Sequence, residues 1–177
     1  VGSLKIMLNG RFENYELISL KNNVFNKINS KNSNALDIGA NIGNHSLFFS
    51  NHFLNVYSFE PSEIIFEHLK LNIRSKENIK AFKYGASNKD QKRILYTLSN
   101  SDSGHSSVLY SENSNINFDN KETIDLVNLD NFLNKNNISN VKFIKIDVEG
   151  YELEVFNGIQ ELIKKDKPII AFEHLIS

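Results

Sequence analysis

The segment Asp37-Ile38-Gly39-Ala40-Asn41-Ile42-Gly43-Asn44 constrains this chain more than any other. It closes the short apolar run Ala35-Leu36-Asp37-Ile38 and opens onto a stretch with helical character over about 44–53. Glycine at 39 and 43 permits a tight turn and a close backbone approach, and a helix starting just beyond offers unpaired N–H groups to a ligand. A strand that turns through glycines into a helix is the first unit of a nucleotide-type cradle. It commits the chain to parallel β–α–β construction.

The rest of the pattern keeps that rhythm. Strands are expected at 35–39, 55–60 and 79–85, with helices at 44–53 and 62–75 between them. Extra strands at 92–98 and 122–128 flank a Ser/Asn/Gly-rich loop over 99–120, a length that suits a functional segment. The alternation resumes with the strand Val141-Lys142-Phe143-Ile144-Lys145-Ile146, a helix over about 151–165 and the strand Pro168-Ile169-Ile170-Ala171-Phe172. Right-handed crossovers then give a Rossmann-like α/β fold, a mostly parallel sheet with helices on both faces. Upstream, Leu4, Ile6 and Leu8 alternate along the chain, Asn9-Gly10 supplies a type I′ turn, and Phe12 to Ile18 alternates again. That predicts an N-terminal β-hairpin. Residues 1–34 therefore read as hairpin and polar connector, and 35–177 as one cofactor-binding domain; a chain of 177 residues has no room for two full domains.

Composition removes several classes of function. The chain has no cysteine, so a disulfide framework, a thiolate zinc site and a Cys nucleophile are excluded, and no metal site is expected. The net charge of −1 lacks the basic footprint of a nucleic-acid binder. No run approaches the ~20 apolar residues of a membrane span, and the start Val1-Gly2-Ser3-Leu4 lacks a basic region followed by an apolar one, so the expected location is cytoplasmic. The 27 Asn, and Lys outnumbering Arg by 17 to 3, are scattered through patterned segments and reflect codon bias.

The first motif also selects its ligand. It departs from Gly-x-Gly-x-x-Gly by starting with Asp37 and spacing its glycines four apart. A carboxylate facing the loop repels a pyrophosphate and favours an ammonium or sulfonium, which shifts the expected cofactor from NAD to S-adenosylmethionine. Glu60, in Phe59-Glu60-Pro61, ends the second strand 23 residues after Asp37, where it can accept hydrogen bonds from both ribose hydroxyls. Asp147 and Glu149, in Ile146-Asp147-Val148-Glu149-Gly150, lie at the carboxyl end of another strand, the edge where open α/β sheets bind ligands. Glu173 and His174 end the last strand. Of the other histidines, His52 and His68 sit in helical stretches, His45 opens a helix beside the glycine loop, and His105 lies in the 99–120 loop, within reach of substrate.

Together with Gly85-Ala86-Ser87, Gly104-His105-Ser106-Ser107 and Leu129-Asp130-Asn131-Phe132-Leu133, these motifs resemble the FkbM-type methyltransferases over about residues 35–175. The resemblance implies S-adenosylmethionine as cofactor, a seven-stranded sheet, and O-methylation of a hydroxyl on a sugar, glycan or secondary metabolite. Asp37, Gly39, Ala40, Asn41 and Gly43 would hold the methionine portion, Glu60 with Pro61 the ribose, and Ala86 and Ser87 the adenine. Asp147 would flank the sulfonium or ammonium, with Glu149, Glu173 and His174 as candidate bases beside it. The antiparallel hairpin that closes such sheets is missing after residue 172, so the chain is expected to be a fragment. Its apolar edge Ile169-Ile170-Ala171-Phe172 would then invite pairing with a second copy. Two other readings are an NAD-dependent oxidoreductase or epimerase on the same Rossmann half, and a module that binds cofactor or glycan without turnover.

Overall fold

A computed structural model describes residues 14–97, 106–107 and 120–173. Helix α1 (Asn14–Asn23) leads into β1 (Asn34–Ile38), α2 (Asn44–Phe49), β2 (Asn55–Phe59), α3 (Glu63–Ile73) and β3 (Ile79–Phe82). Four strands follow: β4 (Gly85–Ser87), β5 (Gln91–Thr97), β6 (Ser106–Ser107) and β7 (Asn120–Asn128). The chain then forms α4 (Leu129–Lys135), β8 (Val141–Ile146), α5 (Glu152–Asn157), α6 (Gln160–Asp166) and β9 (Ile169–Phe172).

The main sheet runs β3-β2-β1-β8-β9, parallel at every pairing. Its order reverses between β1 and β8, so the crevice beyond the carboxyl ends of those two strands is the favoured place for a ligand. Every residue of β1 is buried. Strand alternation sends Leu36, Ile38, Ile144 and Ile146 to one face, against Leu129, Leu133, Val155 and Ile159. Ala35, Val56 and Phe143 go to the other, against Phe25, Phe48, Phe49, Phe53 and Leu69. Phe25 anchors that second face, its ring centroid 4.8 Å from Phe53 and 4.9 Å from Phe143, both nearly perpendicular. The Rossmann-like α/β architecture expected from the motif rhythm is the one observed.

Three local expectations change. Residues 14–18, expected in the second hairpin strand, belong to α1; Leu17, Leu20 and Val24 recur at helical spacing and pack on the Phe25 cluster, leaving Tyr15 and Ile18 exposed. The first hairpin strand and its Asn9-Gly10 turn lie outside the described residues. The third strand stops at Phe82, so Ala86 and Ser87 do not end it; Gly85–Ser87 is a separate strand in a second sheet of order β4-β7-β5-β6. Gly85 permits this, since a Cβ there would stand 2.3 Å from a Leu126 methyl on β7. The helix expected over 151–165 is broken into α5 and α6 at Gly158, where a Cβ would come within 2.0 Å of the Ser87 carbonyl oxygen.

The strands expected at 92–98 and 122–128 are β5 and β7, paired antiparallel from Gln91↔Leu126 to Thr97↔Asn120. Among the described residues β9 pairs only with β8, and Ile169 and Phe172 on it are partly exposed.

The break at Gly158 needs a cap, and Asp130 supplies it. Its buried carboxylate accepts the Glu161 N–H at 2.8 Å and the Leu162 N–H at 2.9 Å, at the amino end of α6. Asp130→Ala is expected to destabilise the protein by about 1–2 kcal/mol, measured by denaturant unfolding, with the unfolding slope unchanged.

Candidate functional site

The glycine loop is fastened before it reaches any ligand. Leaving β1, the Gly39 and Ala40 N–H groups both donate to the Phe59 carbonyl at the end of β2, at 3.0 and 2.9 Å. Gly39, Asn41 and Gly43 have φ of +77°, +49° and +91°. At Gly39 no other residue fits, since a Cβ would stand 1.8 Å from the Asp147 carbonyl oxygen. Asn41 adopts its left-handed backbone with its own side-chain oxygen accepting the Ile42 N–H at 2.7 Å.

Glu60 ties this loop to the next one. One carboxylate oxygen accepts the Asn41 N–H and the other the Ser62 N–H, each at 3.0 Å. Burial pushes the Glu60 carboxyl up to about 7; the two N–H groups oppose that shift, and the nearby Glu122 and Asp37 add to it. Glu122, on β7, accepts the Ser62 hydroxyl at 3.1 Å and the Glu63 N–H at 2.8 Å, capping α3 from the second sheet.

Beneath the loop runs a buried polar row. Asp37 pairs in register with Ser58 on β2 and Lys145 on β8. It is fully buried and accepts the Ser46 hydroxyl at 2.5 Å, while Ser46 and Ser58 share a hydrogen bond of 2.7 Å. Burial raises the Asp37 carboxyl above its ordinary value, partly offset by the positive charge of Lys145. Lys145 forms an ion pair of 2.7 Å with Asp147. The same ammonium, after burial itself, holds the His45 imidazole down at about 3, so His45 is neutral at physiological pH.

These parts frame a cavity that opens to solvent. Gly39, Asn41, Glu60, Asp147 and Glu149 form one side; Phe59, Pro61 and Ile65, with Leu95 and Leu126 from the second sheet, form an apolar side. Three carboxylates line the cavity, and none of its described lining residues is cationic. Such a surface offers oxygen acceptors to a cation and no positive charge to a pyrophosphate.

Of the expected site residues, Gly39, Asn41, Glu60, Pro61, Ala86, Asp147 and Glu149 line this cavity, whereas Asp37, Ala40, Gly43 and Ser87 do not. Gly43 faces α3, where a Cβ would meet a Leu69 methyl at 2.7 Å. Glu173 lies past the end of β9, its N–H bonded to the Ile146 carbonyl, and is not part of the lining. His105 and His174 lie outside the described residues. Sequence reasoning missed Tyr151, whose buried hydroxyl lies 3.2 Å from the Gln91 amide and 3.4 Å from the Ser87 hydroxyl. Its position directly after Asp147-Val148-Glu149-Gly150 was the available signal. Leu95 and Leu126 had none, because their contribution depends on how the second sheet docks.

The Glu60 carboxyl makes stability depend on pH in a defined direction. The folded state holds that proton more tightly than the unfolded chain, so ionisation costs stability as pH rises from about 4.5 to about 7, by an amount on the order of 3 kcal/mol. Glu60→Gln cannot ionise. Subtracting the unfolding free energy of the wild type from that of Glu60→Gln is expected to give a curve that climbs across this window and is flat above and below it.

Comparison with known proteins finds several relatives. Over 139 residues the chain is 26% identical to the hexuronic acid methyltransferase AglP of Haloferax volcanii, covering 78% of this chain and 54% of that protein. The chain thus spans about half the length of that curated relative. Two solved structures superpose with a TM-score of 0.52 on 88% of the chain: an rRNA methylase from Streptococcus thermophilus, at 12% identity and 69% of its length, and SMU.1697c of Streptococcus mutans in complex with SAH, at 13% identity and 70% of its length. At such identities they establish the fold. Residues 37–176 match the methyltransferase FkbM domain, which covers most of the chain and all of the motifs described above; the chain belongs to the FkbM methyltransferase domain family.

Proposed function

We propose that the cavity binds S-adenosylmethionine and that the protein transfers its methyl group to a hydroxyl of a sugar or glycan. The observation that carries this reading is the lining itself, three carboxylates and an apolar side with no described cation. A nicotinamide dinucleotide would set its pyrophosphate against those carboxylates, so the oxidoreductase reading is disfavoured. The relative that acts on a hexuronic acid supports a sugar acid as acceptor class. The small-molecule or glycan acceptor and the absence of a nucleic-acid partner belong to this same reading, and no described helix is long and apolar enough to cross a membrane.

The residues fit the cofactor. Asn41 and Gly39 offer the loop backbone to the methionine portion, Glu60 retains lone pairs for ribose hydroxyls, and Asp147 presents a carboxylate to a positive charge. Pro61, Ile65, Ala86, Leu95 and Leu126 suit an adenine ring. When bound, S-adenosylmethionine supplies an electrophilic methyl group on a sulfonium. The protein then has to align the acceptor oxygen, exclude water and take the hydroxyl proton. Glu149 is the base of choice: it lines the cavity, and its φ of +51°, followed by +96° at Gly150, holds it in a backbone conformation that non-glycine residues seldom adopt. Glu173 is not in the lining.

S-adenosylhomocysteine at saturating concentration is expected to raise the melting temperature by several degrees and NAD to leave it unchanged. A shift with NAD alone would overturn the assignment. With radiolabelled cofactor and uronic-acid glycans as acceptors, Glu149→Gln is expected to bind S-adenosylhomocysteine as the wild type does while turnover falls by about 10²–10⁴-fold. Cofactor binding by the wild type with no transfer to any hydroxyl acceptor would leave only a binding module.

A further inference from the structure

Lys145 is unusual in its surroundings. It is a largely buried ammonium on a central strand, and its ion pair is with a residue that lines the cavity, Asp147, at 2.7 Å. On the neighbouring strand, in direct register and therefore about 5 Å away, is Asp37. One Asp37 oxygen accepts the Ser46 hydroxyl, but the other, Oδ1, is buried with no hydrogen-bond partner among the described residues. Such an orphan costs free energy unless a donor reaches it, and the ammonium in register with it is engaged with Asp147.

We propose that Lys145 is an internal placeholder: it pairs with the Asp147 carboxylate and turns to Asp37 Oδ1 when a cationic ligand takes its place at Asp147. The idea rests on the reading that the cofactor is cationic. It gives Asp37 a role that needs no contact with the ligand. Asp37 is a positioning residue that acts through Lys145, and the buried carboxyl raised by its surroundings becomes a well-paired carboxylate only in the liganded state. Lys145 costs cation affinity through competition, and Asp37 offsets that cost by offering the displaced ammonium a second partner. A lysine side chain has the reach for this, with four rotatable carbons between backbone and charge.

Three ligands separate the effects by isothermal titration. S-adenosylmethionine and S-adenosylhomocysteine carry an ammonium, and methylthioadenosine shares their adenosine but carries no charge. Lys145→Met is expected to tighten both charged ligands by about fivefold or more and leave methylthioadenosine unchanged. Asp37→Asn is expected to weaken the charged ligands by about tenfold in the wild type and to have no effect in the Lys145→Met background. Additive effects would overturn the proposal, as would weaker binding of the charged ligands by Lys145→Met, which would make Lys145 a direct anchor for the ligand carboxylate. If either variant fails to fold, a structure of the wild type with S-adenosylhomocysteine decides: Lys145 Nζ bonded to Asp37 Oδ1 supports the proposal, and Nζ still on Asp147 sinks it. A wild type that binds none of the three ligands would instead refute the cofactor assignment.

Discussion

The site depends on a contact in which one partner has no side chain. At Gly39 the backbone leaving β1 passes so close to the Asp147 carbonyl that any Cβ would overlap it. The Asp147 N–H in turn donates to the Ile38 carbonyl at 2.9 Å. The two strands at the reversal point of the sheet thus run against each other to their last residues before the loops diverge. The polar part of the cavity is set from this contact: the glycine loop on one side, and Asp147 and Glu149 on the other.

Around that contact the protein arranges carboxylates by depth. Glu60 is spent on two backbone N–H groups and braces the loops, Asp147 is held by an ion pair, and Glu149 sits on a strained turn at the cavity surface. Asp37 lies deeper still, inside the sheet. Identical functional groups acquire different tasks because burial and neighbouring charge differ at each one. Placing several acids in one cleft is tolerable where Glu60 is bonded to N–H groups and Asp147 to a lysine.

The parts of this arrangement that depend on local spacing were readable in the sequence. Asp37 through Gly43, Glu60 and Asp147-Val148-Glu149-Gly150 each end a strand, and parallel topology alone carries strand ends to one edge. What could not be read depends on packing between distant segments. Nothing local shows that Asp37 is covered, because its burial comes from Ser46 on a helix and from strands on both sides. Gly85 was expected to end a strand and Gly158 to lie inside a helix, yet both are sites where backbone or side chain from another element occupies the space of a Cβ. The alternation at 12–18 misled for the opposite reason: Leu17, Leu20 and Val24 fit a helical face just as well, and the phenylalanine cluster beneath them decides between the two periods.

Glu122 gives the second sheet a fixed position along its own strands. Its carboxylate meets the amino end of α3, where the backbone N–H of Glu63 and the hydroxyl of Ser62 point outward. A slip of β7 by one residue would present Lys121 or Thr123 there instead, setting either a positive charge or a weaker acceptor against the positive end of a helix. The slip would also turn Leu126 away from the cavity. The cap therefore works as a register pin: it selects one of the alignments open to a short edge sheet, and by that choice it determines which side chains the apolar side of the cavity contains.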